Sequence, residues 1–246
     1  MWICETFFLW GSKMTRRLFV FFIALLPLQA CSTQYSADPI TAYVVDAESG
    51  KPIEGAIVVA HWQLYGGLHP DRAGELTIME TTTDKGGRFH FPAWGPKPVP
   101  DGLPSNARLA HLDPEILIFK NGFKYERVSN ELTMAALRGE KPPHRQSDWN
   151  GKSIKLSRVS GELRERLRNL NNLTTSLQFA INDPKRCEWR QVQLIIRESW
   201  RERLVLEELG AELIFRTLDE QIDGSAAYFE KHGCSLTKEW LKETLK

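Results

Sequence analysis

Two stretches of alternating side chains, each divided by turn-forming residues, constrain the fold of this chain most strongly. The first, VVDAESGKPIEGAIVVAHW (Val44–Trp62), places glycines and a proline between two runs rich in β-branched residues. The second, ELTIMETTTDKGGRFHFPAW (Glu75–Trp94), is divided by the turn sequence DKGG (Asp84–Gly87). Glycine supplies the positive φ that tight hairpin turns need, and a period of two is typical of strands. Both stretches therefore predict β-hairpins.

Further strand-like segments extend this pattern from Ile40 to Leu156. The segment EILIFKNGFKYERVS places a strand on each side of the turn pair Asn121-Gly122, and SIKL closes the region at Leu156. Five prolines punctuate residues 95–114, which are predicted to form a loop. Several short strands separated by turn signals predict an N-terminal antiparallel β-sandwich over residues 40–157.

Beyond Gly161 the apolar residues recur every three or four positions, which is typical of helices. The first such stripe consists of Leu163, Leu167, Leu170, Leu173 and Leu177. A second helix is predicted near Trp189–Leu209. Residues 158–246 are therefore predicted to form a small C-terminal helical bundle, so that the fold class is α+β. The tryptophans at 189, 200 and 240 fall on helical stripes and are predicted to pack inside the bundle.

The N-terminal segment MTRRLFVFFIALLPLQACS, which begins at Met14, has the order of a secretory signal. Two arginines precede a short apolar run, and small Ala30 precedes Cys31. The apolar run is too short to cross a bilayer, which takes about 20 residues. Residues 1–30 are therefore predicted to be a signal peptide, with translation starting at Met1 or at Met14.

The sequence LQAC (Leu28–Cys31) resembles a bacterial lipobox, in which the cysteine becomes the first mature residue and carries the lipid. The alternative is an ordinary signal peptide with a chance cysteine. The resemblance implies membrane anchoring through acyl chains on Cys31. Because Ser32 follows the cysteine, it also implies an outer-membrane lipoprotein facing the periplasm. The small polar residues 31–39 are predicted to be a tether.

Cysteine usage agrees with an exported protein. Of the four cysteines, Cys4 precedes the signal and Cys31 is the candidate lipid acceptor. The remaining pair, Cys187 and Cys234, is predicted to form a disulfide in an oxidising compartment. A reactive thiol or a metal ligand is the alternative for either cysteine.

The two hairpin stretches resemble the carboxypeptidase regulatory-like domain, a transthyretin-like β-sandwich of bacterial surface proteins. The matching residues occur in the same order: Asp46, Ser49-Gly50, Pro52, Ile53, Gly55-Ala56, Val58, Thr83-Asp84, Phe89 and Phe91. FKNGFKYE (Phe119–Glu126) resembles a later strand and turn of the family. Ala42 stands where the family usually has glycine. The resemblance covers residues 40–156 and implies a domain that accompanies zinc carboxypeptidases but does no chemistry itself.

The sequence contains no His-Glu-x-x-His, His-x-x-Glu or Gly-x-Ser-x-Gly motif, so no enzyme, cofactor or metal site is predicted. The net charge of +1 gives no electrostatic support for nucleic-acid binding. His61, His69 and His90 form a metal site only if a loop brings them together. The simpler interpretation is that each is exposed or hydrogen-bonded within a strand.

Trp62, Tyr65 and Trp94 form the candidate ligand surface, because they lie at strand ends beside glycine-rich loops. Tryptophan at such a position also commonly fills a core. Two functions follow. The first is a non-catalytic membrane-anchored envelope lipoprotein whose β-domain binds or holds another envelope protein. The second is a carbohydrate-binding envelope lipoprotein. Exposed, coplanar tryptophans favour the glycan, whereas buried tryptophans favour the scaffold.

Overall fold

The structure is a computed structural model that describes residues 33–69, 71–138, 142–181, 186–211, 226–236 and 238–243. The predicted signal peptide and Cys31 lie outside the described residues. The chain from Thr33 onward forms one compact unit of mixed α+β structure, mostly sheet. Among the described helices, none has the length and apolar character needed to cross a membrane.

The strands are arranged in three sheets. The first sheet has the order β10-β1-β6, with β1 at Gln34–Ala37, β6 at Trp94–Pro98 and β10 at His144–Arg145. The second has the order β11-β2-β5, with β2 at Ile40–Asp46, β5 at Arg88–Phe91 and β11 at Ser153–Leu156. The third has the order β4-β3-β8-β9 with β7 also paired to β3. Its strands are β3 Ile57–Gly66, β4 Asp71–Thr82, β7 Arg108–Leu109, β8 Glu115–Phe119 and β9 Glu126–Val128.

Two pairings differ from the purely antiparallel arrangement that the sequence predicts. Strand β11 pairs with β2 in parallel, and β10 pairs with β1 in parallel. Two parallel neighbouring strands need a long connection, because the chain must return to the end of the sheet at which the first strand began before the second strand can start. The connection from β2 to β11 contains most of the β-region. Local sequence patterns do not reveal a pairing between strands so far apart in the chain.

Two segments predicted to be irregular are strands. Residues 34–37 of the predicted tether form β1, because Tyr35 and Ala37 are buried and the strand pairs with β6 and β10. Residues 95–98 of the predicted proline loop belong to β6, whose pairing partner among the described strands is β1. Proline lacks a backbone donor, and a strand at the edge of a sheet tolerates it on its unpaired side.

The hairpin turn at Asp84–Gly87 is confirmed. The Asp84 side chain accepts hydrogen bonds from the backbone nitrogens of Gly86 and Arg88, each at 2.9 Å. Gly87 has a φ of +70°, and a Cβ atom there would lie 2.5 Å from the Val44 carbonyl oxygen. No other residue fits this turn without moving the backbone.

The third sheet is covered on both faces. Successive side chains of β3 point to opposite faces, so that Val58 and Ala60 pack with residues of the first two sheets. Ile57 and Val59 pack instead with helical residues of the C-terminal region. This double burial accounts for the continuous apolar run in β3. The helices after residue 158 therefore share a core with the third sheet.

The predicted leucine stripe forms the buried side of a helix. The helices are α1 Met134–Leu137, α2 Leu163–Ser176, α3 Gln178–Ile181, α4 Gln193–Glu208, α5 at 226–231 and α6 Lys238–Glu243. Leu170 and Leu173 of α2 are buried, as are Trp189 and Trp200. Glu80 of β4 accepts hydrogen bonds from the backbone nitrogens of Leu194 and Ile195, so the sheet caps α4.

The predicted disulfide is confirmed. The structure joins Cys187 and Cys234, whose Cα atoms are 5.2 Å apart. Trp189 lies beside the bond, and its indole nitrogen donates to the Cys234 carbonyl oxygen at 3.1 Å. Trp240, which is partly buried, meets Trp189 edge to face. The disulfide thus links the turn that precedes α4 to the segment that precedes α6.

Candidate functional site

Two of the three predicted ligand residues belong to the core. Trp62 is 1% exposed and Trp94 is 6% exposed, and their rings meet edge to face with centroids 5.2 Å apart. Because sugars stack on exposed ring faces, neither indole can serve as a binding platform in this arrangement. The structure corrects this part of the predicted ligand surface. Tyr65 remains exposed.

Tyr65 borders a cavity of about 450 Å³ on the third sheet. His61, Gln63 and Tyr65, at alternate positions of β3, line one side of the cavity, because alternate residues share one face of a strand. The opposite side comes from the chain between β7 and β8 and from Leu132. This size lies within the range of small-molecule sites, about 300–1,000 Å³.

His61 is buried at the inner side of this cavity between two carboxylates. Its Nδ1 donates to Oε2 of Glu75 at 2.9 Å, and its Nε2 donates to Oε1 of Glu115 at 3.2 Å. Glu75 lies on β4 and Glu115 on β8, so that both strands adjacent to β3 contribute one partner. The ring of Phe179 stacks on the imidazole, with centroids 4.0 Å apart. The histidine is held from three sides.

His61 carries a positive charge at neutral pH. Burial disfavours that charge, but the attraction of Glu75 and the hydrogen bonds to Glu115 and Glu75 outweigh it. Together they raise the pKa of His61 from 6.5 to about 9. Burial acts to raise the pKa of Glu115, yet the hydrogen bond and charge of His61 lower it below its usual range. The three residues are therefore a carboxylate–imidazolium–carboxylate cluster.

This cluster predicts a pH-dependent stability. The folded chain keeps the His61 proton up to pH about 9, whereas the unfolded chain releases it above about 6.5. The stabilisation is therefore complete below pH 6.5 and is lost as the pH rises to 9. We expect the free energy of unfolding in urea to fall by on the order of 3 kcal/mol across this window.

The matched variant is Glu115→Gln, which keeps a hydrogen-bond acceptor for His61 but removes one negative charge. It is expected to show a shallower loss of stability between pH 6.5 and 9 than the unsubstituted chain. Identical pH profiles for the two proteins would contradict the assignment of the charge to His61.

The geometry of the cluster does not suit a metal ion. The two carboxylates occupy opposite nitrogens of one ring, so that the three side chains do not converge on a common point. Within the described ranges, no group of three His, Cys, Asp or Glu side chains has metal-binding geometry. His90 lies on β5, where its Nδ1 is 2.9 Å from the Thr41 hydroxyl. It is therefore engaged on the second sheet, away from the cluster on the third.

The cluster is also poorly suited to proton transfer. A general base needs a free ring nitrogen, and a general acid needs a proton that can reach the substrate. Both ring nitrogens of His61 are already bonded to carboxylates of the protein. Among the described contacts of His61, none is with a serine, threonine or cysteine side chain that could act as a nucleophile. The charges of this cluster are therefore directed at one another.

The loop on the opposite side of the cavity is fixed by a buried ion pair. Nε of Arg145 donates to Oδ2 of Asp113 at 3.0 Å, and both side chains are almost fully buried. Nδ2 of Asn130 donates to the carbonyl oxygens of Asp113 and Gln146, at 2.7 and 2.8 Å. These bonds tie the 110–114 loop to β10 and to the chain after β9, so the cavity wall is rigidly supported.

Sequence reasoning overlooked the cluster around His61. It treated His61 as an exposed or hydrogen-bonded strand histidine, and only the hydrogen bonding is correct. The available signal was the position of His61 inside the apolar run IVVAHW, since a polar residue in a doubly covered strand needs buried partners. Glu75 and Glu115 could not be named as those partners without the strand register.

Comparison with known proteins gives little guidance. No protein-family model matches the sequence, and no curated protein matches it. A solved 3-chlorocatechol 1,2-dioxygenase from Rhodococcus opacus 1CP is similar over 54% of this chain and 62% of its own, with 18% identity and a TM-score of 0.28. A 9R-lipoxygenase from Cyanothece PCC8801 is similar over 68% of this chain and 26% of its own, with 9% identity and a TM-score of 0.26. This chain thus spans less than two thirds of either protein, and similarities this weak carry no inference about fold or activity.

Proposed function

We propose that this chain is a non-catalytic, lipid-anchored protein of the cell envelope whose β-domain binds a partner through the cavity beside His61. The observation that carries the proposal is the internal pairing of the His61 cluster and of Asp113 in the cavity wall. His61 is bonded to Glu75 and Glu115, and Asp113 is bonded to Arg145. These paired groups contribute shape and a fixed field, which serve binding, and they leave no ring nitrogen of His61 free for acid–base chemistry.

We propose further that the β-region is a transthyretin-like sandwich of the carboxypeptidase regulatory-like type. The order of its hairpin motifs supports this, as does the packing of β3 side chains against residues of the second sheet. In this proposal the third sheet is one layer of the sandwich, and the first and second sheets together form the other. The C-terminal helices are an addition that covers the outer face of the third sheet.

The proposed anchor is Cys31 in the sequence LQAC. Strand β1 begins three residues after this cysteine, so a lipid would be joined to the folded domain by a short segment. The disulfide between Cys187 and Cys234 supports an oxidising compartment. On this basis the protein is proposed to act at the periplasmic surface of the outer membrane.

The partner that we propose is another envelope protein rather than a glycan. Glycan binding was suggested by Trp62 and Trp94, and the burial of both indoles removes that support. Tyr65 alone is a small platform for sugar stacking. Leu112 and Leu132, which are 39% and 52% exposed at the cavity, favour an apolar contact instead.

The test is capture of partners from crosslinked membrane extracts with the full chain as bait. A charge placed in the cavity by Leu132→Asp is expected to reduce the captured partner about tenfold, equivalent to about 1.4 kcal/mol. The control is Leu209→Asp, which changes an exposed leucine just after α4. Equal capture by the two variants would contradict a binding role for the cavity.

A further inference from the structure

We propose that the cavity beside His61 binds a carboxylate attached to an apolar body, with the carboxylate at the Tyr65 end and the apolar body toward Leu112 and Leu132. This inference rests on the proposed binding function and adds the chemistry of what is bound. The same chemistry occurs in a free organic acid and in the C-terminal residue of a polypeptide, and the experiment below distinguishes these two sources.

Two guanidinium groups flank the exposed tyrosine. Tyr65 of β3 is registered opposite Arg72 of β4 and opposite Arg108 of β7. Residues directly opposite each other in neighbouring strands have their side chains on the same face of the sheet. The three side chains therefore form a row across the sheet, and Tyr65 and Arg108 line the cavity.

Arg108 is available to a ligand. It is exposed, and the described residues provide it with no carboxylate partner and no side-chain hydrogen bond. Arg72 differs, because its guanidinium lies against the side-chain amide of Gln63, which also reaches the Tyr65 hydroxyl. The unengaged guanidinium of Arg108 fits a single negative charge. Arginine binds carboxylates through two parallel N–H bonds, which gives both energy and orientation.

The rest of the cavity favours an apolar group. Leu112 and Leu132 keep much of their surface in water in the absence of a ligand. Covering such surface is favourable by about 25 cal/mol per Å². A ligand that consists only of charge, such as an inorganic anion, leaves this surface uncovered. The combination of an arginine and exposed leucines therefore selects an anion that is part of a larger apolar molecule.

The negative charge of Glu115 fixes the orientation of the ligand. Tyr65 is four residues along β3 from His61, which corresponds to about 13 Å at the rise of a strand. Glu115 is registered opposite His61 and is bonded to it. A carboxylate between Arg108 and Tyr65 is therefore farther along the strand from Glu115 than one beside His61. A carboxylate at the His61 end would instead meet Glu115 directly.

The test is calorimetric titration of the full-length lipidated protein in nanodiscs. One probe is 4-phenylbutyrate, and the other is acetylated leucyl-phenylalanine with a free C-terminus. Each probe is paired with its neutral amide. We expect at least one acid to bind and its amide to bind about tenfold more weakly, because the amide loses the charge-assisted hydrogen bonds to Arg108. The acid that binds more tightly identifies the source.

Arg108→Gln is expected to lower the affinity for the acid about tenfold and to leave the weak affinity for the amide unchanged. The control is Arg88→Gln, which removes an exposed arginine on β5 of the second sheet. The inference is overturned if neither acid binds, if acid and amide bind equally, or if the two arginine variants behave alike. Conversion of a bound probe into a product would overturn the non-catalytic function while leaving the binding inference intact.

Discussion

Replacing Asp113 with alanine is expected to lower the free energy of unfolding by about 3–5 kcal/mol, because it removes one half of a buried ion pair. Arg145 and Asp113 are both almost fully buried, with Nε and Oδ2 at 3.0 Å. Without the carboxylate, the guanidinium is left as an uncompensated charge in the interior. The loss is measured by urea unfolding of the purified variant beside the unsubstituted chain.

Two variants make this expectation specific. Asp38→Ala removes a half-exposed carboxylate that is bonded to His144, the neighbour of Arg145 in β10, and it is expected to destabilise the fold far less than Asp113→Ala because water screens the exposed pair. The double variant Asp113→Leu with Arg145→Met replaces the pair by apolar side chains and is expected to recover most of the loss. A cost of Asp113→Ala no larger than that of Asp38→Ala would show that the pair does not hold the cavity loop.

Removing the disulfide with Cys187→Ala and Cys234→Ala is expected to lower the free energy of unfolding by about 4 kcal/mol. The two cysteines are 47 residues apart, so that the bond removes much conformational freedom from the unfolded chain. The loss is expected mainly as earlier unfolding of the helical region, because the bond joins segments on either side of α4 and α5. Circular dichroism at the helical minimum during urea titration measures it.

Reduction of the unsubstituted chain with a thiol provides the control for this variant. It opens the same bond without changing a side chain and is expected to reproduce the shift in midpoint. A double variant as stable as the oxidised chain would contradict a structural role for the bond. Reduction that destabilises the double variant to the same degree would show that the effect arises elsewhere.

The local parts of the fold were accessible from the sequence. The turn at Asp84–Gly87 needs a residue of positive φ, and the strand after it carries phenylalanines at alternate positions. Both features are visible in the sequence. The helix α2 was predicted from a leucine stripe with the right period. The pairing of Cys187 with Cys234 followed from elimination and compartment. In the first two cases the determining interactions lie close in sequence, and in the third one pair of cysteines remained for a disulfide.

The non-local parts were not accessible. Strand β1 is a strand only because β6 and β10 lie beside it, and its partners are about 60 and 108 residues away. The prolines of β6 argue against a strand until its position at the sheet edge is known. The sequence positions of Trp62 and Trp94 fit both a ligand surface and a buried core. The choice between these two interpretations requires the arrangement of the sheets.

The cavity follows the same logic. Glu75 and Glu115 lie 14 and 54 residues from His61, and they meet it because β4 and β8 flank β3. The row of Arg72, Tyr65 and Arg108 depends on the same register. Motif searching cannot detect a site whose members lie on separate strands with no fixed spacing. A histidine inside an apolar strand is nevertheless a signal for buried partners and can be sought in other sequences.

The central claim is that a lipid on Cys31 holds this binding domain at the envelope membrane. Its most direct test is the intact mass of the protein isolated from membranes of a bacterium that expresses the full chain. The account predicts a mature chain that begins at Cys31 and carries acyl chains, and release of the Cys31→Ala variant from the membrane fraction. An unmodified Cys31 in a protein recovered from the cytosol would contradict the account.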